Sequence, residues 1–206
     1  MYVPRTFEET DPRVMQQFVA RNRLATLISL TDEALCADHI PMLAAETEAG
    51  GYLLQGHVAR ANPLWRNISA GTEVLAVFLD PGIYITPSWY ASKAETQKVV
   101  PTWNYIAVHA YGIARAIANA DWLRAFLGRL TTANESARPV PWQISDAPAQ
   151  YIETQLEAIV GIEITVSRWV GKWKVSQNRL PKDVEGVIDG LRAAGDPVSA
   201  RMAEVC

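Results

Sequence analysis

Cysteine is scarce. Cys36 and Cys206 are the only two in 206 residues, too few and too far apart for a disulfide scaffold or a paired metal-ligand motif. Reduced thiols and a cytoplasmic location are the expectation. No apolar run approaches the roughly 20 residues that span a bilayer, and the opening MYVPRTFEETD carries Glu8, Glu9 and Asp11 where a signal peptide would be apolar. Neither a membrane span nor secretion through such a leader is expected. Positive charge is not in excess, because the formal net charge is -3. That balance argues against a chain whose main task is gripping phosphodiester backbones. The phosphate loop of nucleoside triphosphatases, the Gly-rich dinucleotide fingerprint and the G-x-S-x-G nucleophile elbow are all missing. His39, His57 and His109 have no metal-ligand spacing with one another or with the cysteines, so no metal site is expected; His109 reads as a satisfied barrel residue. No internal repeat or low-complexity tract appears.

What is present is an ordinary globular balance, 49% hydrophobic and 20% charged residues, with enough apolar material for a sizeable core. The chain reads as one domain, 1-206, with a helical extension from about 181. A helix is expected over about 11 to 22, capped by Thr10 or Asp11 with Pro12 in its first turn. A hairpin follows, strands 24 to 30 and 35 to 40 around the polar turn TDEA, with Pro41 stopping the second strand. Further strands are expected at about 52 to 58, 72 to 80 and 103 to 118, the last with a bulge or bend at Gly112. Residues 161 to 176 give a last strand or strand pair. Amphipathic helices are expected at 119 to 135 and 147 to 160, and two short C-terminal helices broken at Gly195, Asp196 and Pro197. Six or seven strands with non-local partners point to a mainly β fold with helices, a closed or partly closed barrel.

Three stretches concentrate polar and aromatic groups. In GHVARANPLW (56 to 65), Asn62 suits a helix cap and Pro63 a first turn, so free backbone N-H groups would point outward beside Arg60, an anion-binding arrangement to which His57 could add a hydrogen bond. The alternative is a plain turn, with Asn62 a cap, Arg60 in a surface ion pair and His57 packed on the sheet. PSWYASKAETQKVVPTWNY (87 to 105) holds Trp89, Tyr90, Trp103 and Tyr105 in what reads as loop, where aromatics either line a pocket or subunit interface, or close the barrel end as core. In GKWKVSQNR (171 to 179), Lys172 and Lys174 share one strand face, and Ser176, Gln177 and Asn178 leave its end with exposed polar groups. The lysines alternatively guard an edge strand against aggregation.

Together with DHIPML (38 to 43) and the longer run YITPSWYASKAETQKVVPTWNYIAVHAYG (84 to 112), these stretches occur in an order and spacing that resemble the PaiB family of FMN-binding proteins, over essentially the whole chain. Thr86, Ala91 and Gln97 depart from the pattern without removing a charged or aromatic member. The resemblance implies a split β-barrel of the flavin reductase and pyridoxamine phosphate oxidase type with C-terminal helices, working as a homodimer with FMN where two barrels meet. It places Arg60 and Asn62 at the flavin phosphate, His39 with its strand beside the isoalloxazine, and Trp89, Trp103 and Asn104 at the pocket or dimer interface. Lys174, Ser176 and Gln177 would approach the flavin from the partner, a cation there favouring the anionic reduced form. The implied cofactor-binding set also takes in His57, Ser88 and Thr102.

No residue is an obvious catalytic acid or base. An FMN-dependent oxidoreductase and a split barrel holding haem or another flat cofactor stand as alternatives. Some family members are described as negative regulators of transcription, so DNA is a possible partner by resemblance. The charge balance does not favour it, and only the LRAAGDPVSARM helices offer a faint candidate reader.

Overall fold

The structure is a computed structural model that describes residues 1-31, 34-48, 50-68 and 71-206. Asp32 and Glu33, in the expected turn TDEA, lie outside the described residues. In chain order the elements are β1 (Glu8–Glu9), α1 (Pro12–Arg21), β2 (Leu24–Leu30), β3 (Leu35–Pro41), β4 (Leu43–Glu46), β5 (Tyr52–Ala59), α2 (Leu64–Asn67), β6 (Thr72–Leu79) and β7 (Ile83–Ile85). They continue with α3 (Ser92–Thr96), β8 (Thr102–Ile117), α4 (Ala120–Glu135), α5 (Ala149–Glu157), β9 (Ile159–Lys174), α6 (Pro181–Ala194) and α7 (Pro197–Val205). The strands are hydrogen-bonded in the order β3-β2-β6-β8-β9-β5-β4, with β1 added to β9 and β7 to β8. No helix among the described residues is long and apolar enough to cross a membrane.

Two compact units form. One comprises Met1–Met15, Phe78–His109 and Val170–Cys206; the other comprises Gln16–Val77 and Ala110–Trp169. We call them the terminal and the central unit; β6, β8 and β9 each contribute residues to both. In the central unit, alternation along β2 turns Ala25 and Leu27 inward, fully buried, while Leu24 and Leu30 face out. Buried Leu54, Ile162 and Ile164 join them from β5 and β9, and Leu123 and Phe126 from α4. In the terminal unit, Val187 and Leu191 of α6 and Met202 of α7 are buried. Gly195 ends α6 at φ 73°, a left-handed conformation that glycine adopts without steric cost, and Asp196 then caps α7 by accepting from Val198 N (2.9 Å) and Ser199 N (3.0 Å).

Several expectations are corrected. Pro41 ends β3, but the chain resumes extended structure two residues later as β4, a short strand that periodicity alone did not signal. Gly112 lies inside an unbroken β8, where an added Cβ would sit 2.3 Å from the Thr165 carbonyl oxygen; glycine permits close strand approach. Residues 87 to 105 are not loop throughout, because α3 and the start of β8 fall within them. The 161 to 176 stretch is a single strand ending at Lys174 and no edge: it pairs with β8, β5 and β1. Its Lys172 is buried and registers with Glu8 of β1, so the edge-guard reading fails for it.

Candidate functional site

In the central unit β3 ends the hydrogen-bonded order, so one of its backbone edges has no strand partner among the described residues. Its side chains alternate. Asp38 meets the turn after β5: Asn62 Nδ2 donates to Asp38 Oδ1 at 2.6 Å, while Asn62 Oδ1 accepts from Leu64 N at 2.8 Å. Asn62 is therefore not the cap that the sequence suggested: Pro63 holds the cap position of α2, a single turn, and Asn62 closes the turn before it and ties that turn to β3. These groups border a cavity of about 600 Å3 lined by Cys36, Asp38, Asn62, Pro63, Leu64 and Asn67. Arg60 is not among its lining residues. Its Nε donates to Glu157 O at 2.6 Å and its Nη2 to Ile159 O at 3.0 Å, so the guanidinium closes the connection from α5 to β9 and keeps Nη1 for other acceptors.

His39 points the other way from β3, and its Nδ1 lies 3.1 Å from Thr26 Oγ1. The two are directly paired in the register, as are Ala37 with Ile28 and Leu35 with Leu30. On the opposite side of β2, Thr26 pairs with Val77 and Ile28 with Leu75 of β6. Paired residues share a face, so this three-stranded face carries Leu24, Ile28, Leu30, Leu35, Leu75 and Val77, with Thr26 and His39 as a polar pair within it and exposed Glu73 at the start of β6 on its rim. Leu24 is 64% exposed, Leu30 67% and Leu35 73%. Such a contiguous apolar face on a folded unit marks a binding surface. His57 belongs elsewhere: its ring sits edge-on to Phe126 of α4, 5.8 Å between centroids, and burial lowers its pKa and keeps the imidazole neutral.

The terminal unit assembles a second group where β8 begins and β9 ends. Lys174 Nζ donates to Thr102 Oγ1 and to the Trp103 carbonyl. Burial lowers its pKa, and Lys172 and Arg179 push in the same direction. Asn104 is fully buried; its Nδ2 donates to Ser176 Oγ at 2.9 Å and reaches Cys206 Sγ at 3.5 Å. Gln177 folds back on its own strand, its Oε1 accepting from Val175 N at 2.8 Å and its Nε2 donating to Trp173 O. Between them Ser176 takes φ 71°, uncommon for a residue with a side chain. Trp103 stays 56% exposed, edge-on to Tyr84 at 6.1 Å.

Trp89 is not free for a ligand in this way. Its ring covers Gly190 of α6 and its carbonyl approaches Gly186, where added Cβ atoms would lie 2.3 Å and 2.0 Å away. Ser88 is exposed and accepts from Lys93 Nζ at 3.3 Å. Tyr90 is buried beneath the Arg179 guanidinium, 4.6 Å from its ring centre. The structure therefore brings together Thr102, Trp103, Asn104, Lys174 and Ser176, and separately Asn62 with Asp38, while His57 and Trp89 serve packing.

Residues that sequence reasoning passed over include Thr26, Asp38 and Asp183. Asp38 adjoins His39 in the sequence, and strand alternation alone would have put it on the opposite face. Asp183 accepts from Ser92 N and Oγ, both at 2.8 Å, and joins α6 to α3; no local pattern marks such a distant pair.

Comparison with known proteins agrees with this architecture. A family model described as "Putative FMN-binding domain" matches residues 1–168. Protease synthase and sporulation protein PAI 2 of Bacillus subtilis is 34% identical over 205 residues, covering 100% of this chain and 96% of that protein. An uncharacterized protein of Emericella nidulans is 32% identical over 240 residues, with 100% and 96% covered. Among solved structures, the FAD and heme binding protein from Mycobacterium smegmatis superposes with a TM-score of 0.60 at 16% identity, covering 81% of this chain and 73% of that one. The flavocytochrome Anf3 from Azotobacter vinelandii gives 0.55 at 16% identity, covering 84% and 72%. At such identities the likeness speaks for the fold alone, a mostly antiparallel split barrel with helices, as expected. Full-length similarity to the Bacillus protein and the family match over most of the chain lead to one assignment: the chain belongs to the PaiB family of FMN-binding-domain proteins.

Proposed function

We propose that the protein binds a flavin, FMN, and does so as a homodimer with the cofactor where two copies meet. The observation that carries this reading is the apolar face of β3, β2 and β6. Its exposed leucines and the Thr26–His39 pair within it suit cover by a second copy and by a flat aromatic ring system, with the unpaired edge of β3 available to the ring's hydrogen-bonding rim. The family match supports flavin as the ring system, and the names of the two structural relatives make haem the competitor to exclude. The remaining Nη1 of Arg60 is the group we assign to the phosphate end; Asn62 and Asp38, whose carboxylate disfavours a dianion beside it, we assign to hydrogen-bond donors such as the hydroxyl groups that adjoin the phosphate. Taken by itself, the terminal unit's Lys174, with its Trp103 and Asn104 neighbours, offers a cation suited to an electron-rich ring edge.

Titration with FMN, followed by flavin absorbance and fluorescence, should show saturable binding in the micromolar range. Absence of saturation, or a haem spectrum in the purified protein, overturns the reading. Arg60→Gln should weaken FMN by about tenfold, the scale of one charge-assisted hydrogen bond, and leave riboflavin nearly unchanged; an equal loss for both assigns Arg60 to the turn alone. Leu30→Asp should dissociate the dimer in sedimentation experiments, whereas a monomer that binds FMN stoichiometrically at all concentrations removes the dimer and keeps the flavin. A role in gene control is the second reading, which rests on the family resemblance alone; a salt-dependent gel shift with the protein's own upstream DNA tests direct action.

A further inference from the structure

We infer that the central unit carries a second ligand site, formed by α4, α5 and the segment between them, for a small molecule with one aromatic-ring-sized apolar end and a hydrogen-bonding polar end. The inference does not rest on flavin binding. α4 ends at Glu135 and α5 begins at Ala149, a connection longer than the usual two to eight residues between packed helices, and long ordered connections commonly carry function. This one is built. Trp142 N donates to Glu135 Oε2 at 3.2 Å and Arg138 Nε to Glu135 Oε1 at 3.0 Å. Gln143 N donates to Asp146 Oδ2 at 2.9 Å, and Asp146 N returns to Gln143 O at 2.9 Å. A wall held in this way loses little freedom when a ligand arrives.

Two adjoining open clefts lie against this segment, and Trp142 lines both. The smaller, apolar one, the inner cavity, is about 160 Å3 and is lined by Leu127, Trp142, Ile144, Ile152 and Leu156, with Thr131 and Gln155 as its polar members. An apolar protein cavity of roughly 150 Å3 accepts benzene, so this cleft has room for a single ring. The outer one is about 620 Å3 and shares Thr131, Trp142 and Ile144 with the first. Its further lining of Thr132, Glu135, Ser136, Gln143 and Ser145 offers hydroxyl, amide and carboxylate groups to a polar end. Gly128 of α4 opens onto it, with nothing within 4 Å of where a Cβ would be. A glycine in mid-helix costs about 1 kcal/mol relative to alanine, and here it widens the cavity.

The probe is benzyl alcohol, a ring with a hydroxyl, added to the full-length protein and followed by amide and indole N-H shifts in NMR spectra. Saturable shifts should appear at Trp142, Thr131, Ile144 and Gln155. Ile152→Trp, which fills the inner cavity, should weaken binding at least tenfold. Gly128→Leu narrows only the outer cavity and raises helix propensity, so it should fold normally and weaken binding several-fold. Naphthalenemethanol, with two fused rings, should bind at least tenfold more weakly. FMN affinity should be the same in both variants. No saturable shift up to the solubility limit overturns the inference, as does binding that both variants leave intact. Concentration-dependent shifts of the same residues without probe also overturn it, identifying the groove as a contact between copies. If Ile152→Trp does not fold, Gly128→Leu decides.

Discussion

In the central unit the candidate polar groups are spent at the surface. Asn62 is fastened to Asp38 and Arg60 to two main-chain carbonyls, while the large exposed area beside them is apolar. In the terminal unit the arrangement is reversed: Asn104, Ser176 and Asp183 are buried and paired, and an aromatic edge of Trp103 and Tyr84 remains outside. Surface clamps are cheap to lose because water replaces the missing partner. Buried pairs are costly, since a lone survivor keeps its desolvation penalty. Substitutions at Asn104, Ser176 and Asp183 should therefore hurt stability more than those at Asn62 and Arg60, which should act mainly on binding.

The largest effect is expected for Gly186→Ala. Its Cβ would sit 2.0 Å from the Trp89 carbonyl oxygen, and backbone cannot step aside as a flexible side chain can. Overpacking on the order of 1–3 kcal/mol outweighs the helix-propensity gain of about 1 kcal/mol, so the thermal midpoint should fall; an unchanged midpoint shows that α6 shifts freely. Next comes Asn104→Ala, which leaves Ser176 buried without its amide partner and should cost about 1–3 kcal/mol in urea unfolding. A loss of a few tenths would place that pair with the surface clamps and break the contrast.

Acid sharpens the same comparison. Burial lowers the pKa of His57 in the central unit below its ordinary 6.5. The unfolded chain therefore binds a proton first, and stability declines as pH falls from 6.5 toward the folded value. Burial would raise Asp183, but donation from Ser92 N and Oγ, with Lys182 and Arg179 nearby, holds it lower than an ordinary carboxyl. Its contribution is present above the ordinary carboxyl range and disappears as pH falls through the folded value. His57→Phe should remove the mild-acid loss and Ser92→Ala should shrink the strong-acid loss, both read from urea midpoints against pH; exchanged ranges would refute the assignment. The smallest effect is expected for Glu95→Gln. Its pair with Lys182 is exposed, 58% and 41% at the side chains, and such pairs contribute between 0 and about 1 kcal/mol.

Much of the fold was legible. The inward alternation along β2, the proline that begins α1, and the Gly195–Asp196 break before Pro197 opens α7 are local signals with a fixed physical meaning. β4 was not legible, because four residues after a proline carry too little periodicity. Lys172 was misread because a strand in isolation does not disclose whether a neighbour covers it; here β1 does. For the candidate sites, the motif stretches located the right regions, but the task of each side chain depended on distant partners. Arg60 is held by carbonyls nearly a hundred positions further along, and Trp89 by two glycines on α6.

The sequence by itself determined the family, the mainly β character with C-terminal helices, and the stretches where polar and aromatic groups gather, because propensity, alternation and motif spacing act over short distances. Only the tertiary structure decided that Trp89 and His57 pack, that Asn62 is shared with Asp38, and that β2, β3 and β6 present one apolar face. Those outcomes depend on which strands and helices come to lie side by side. Pairing across tens of residues is settled by burial and hydrogen-bond satisfaction in the whole fold, not by any local stretch of chain.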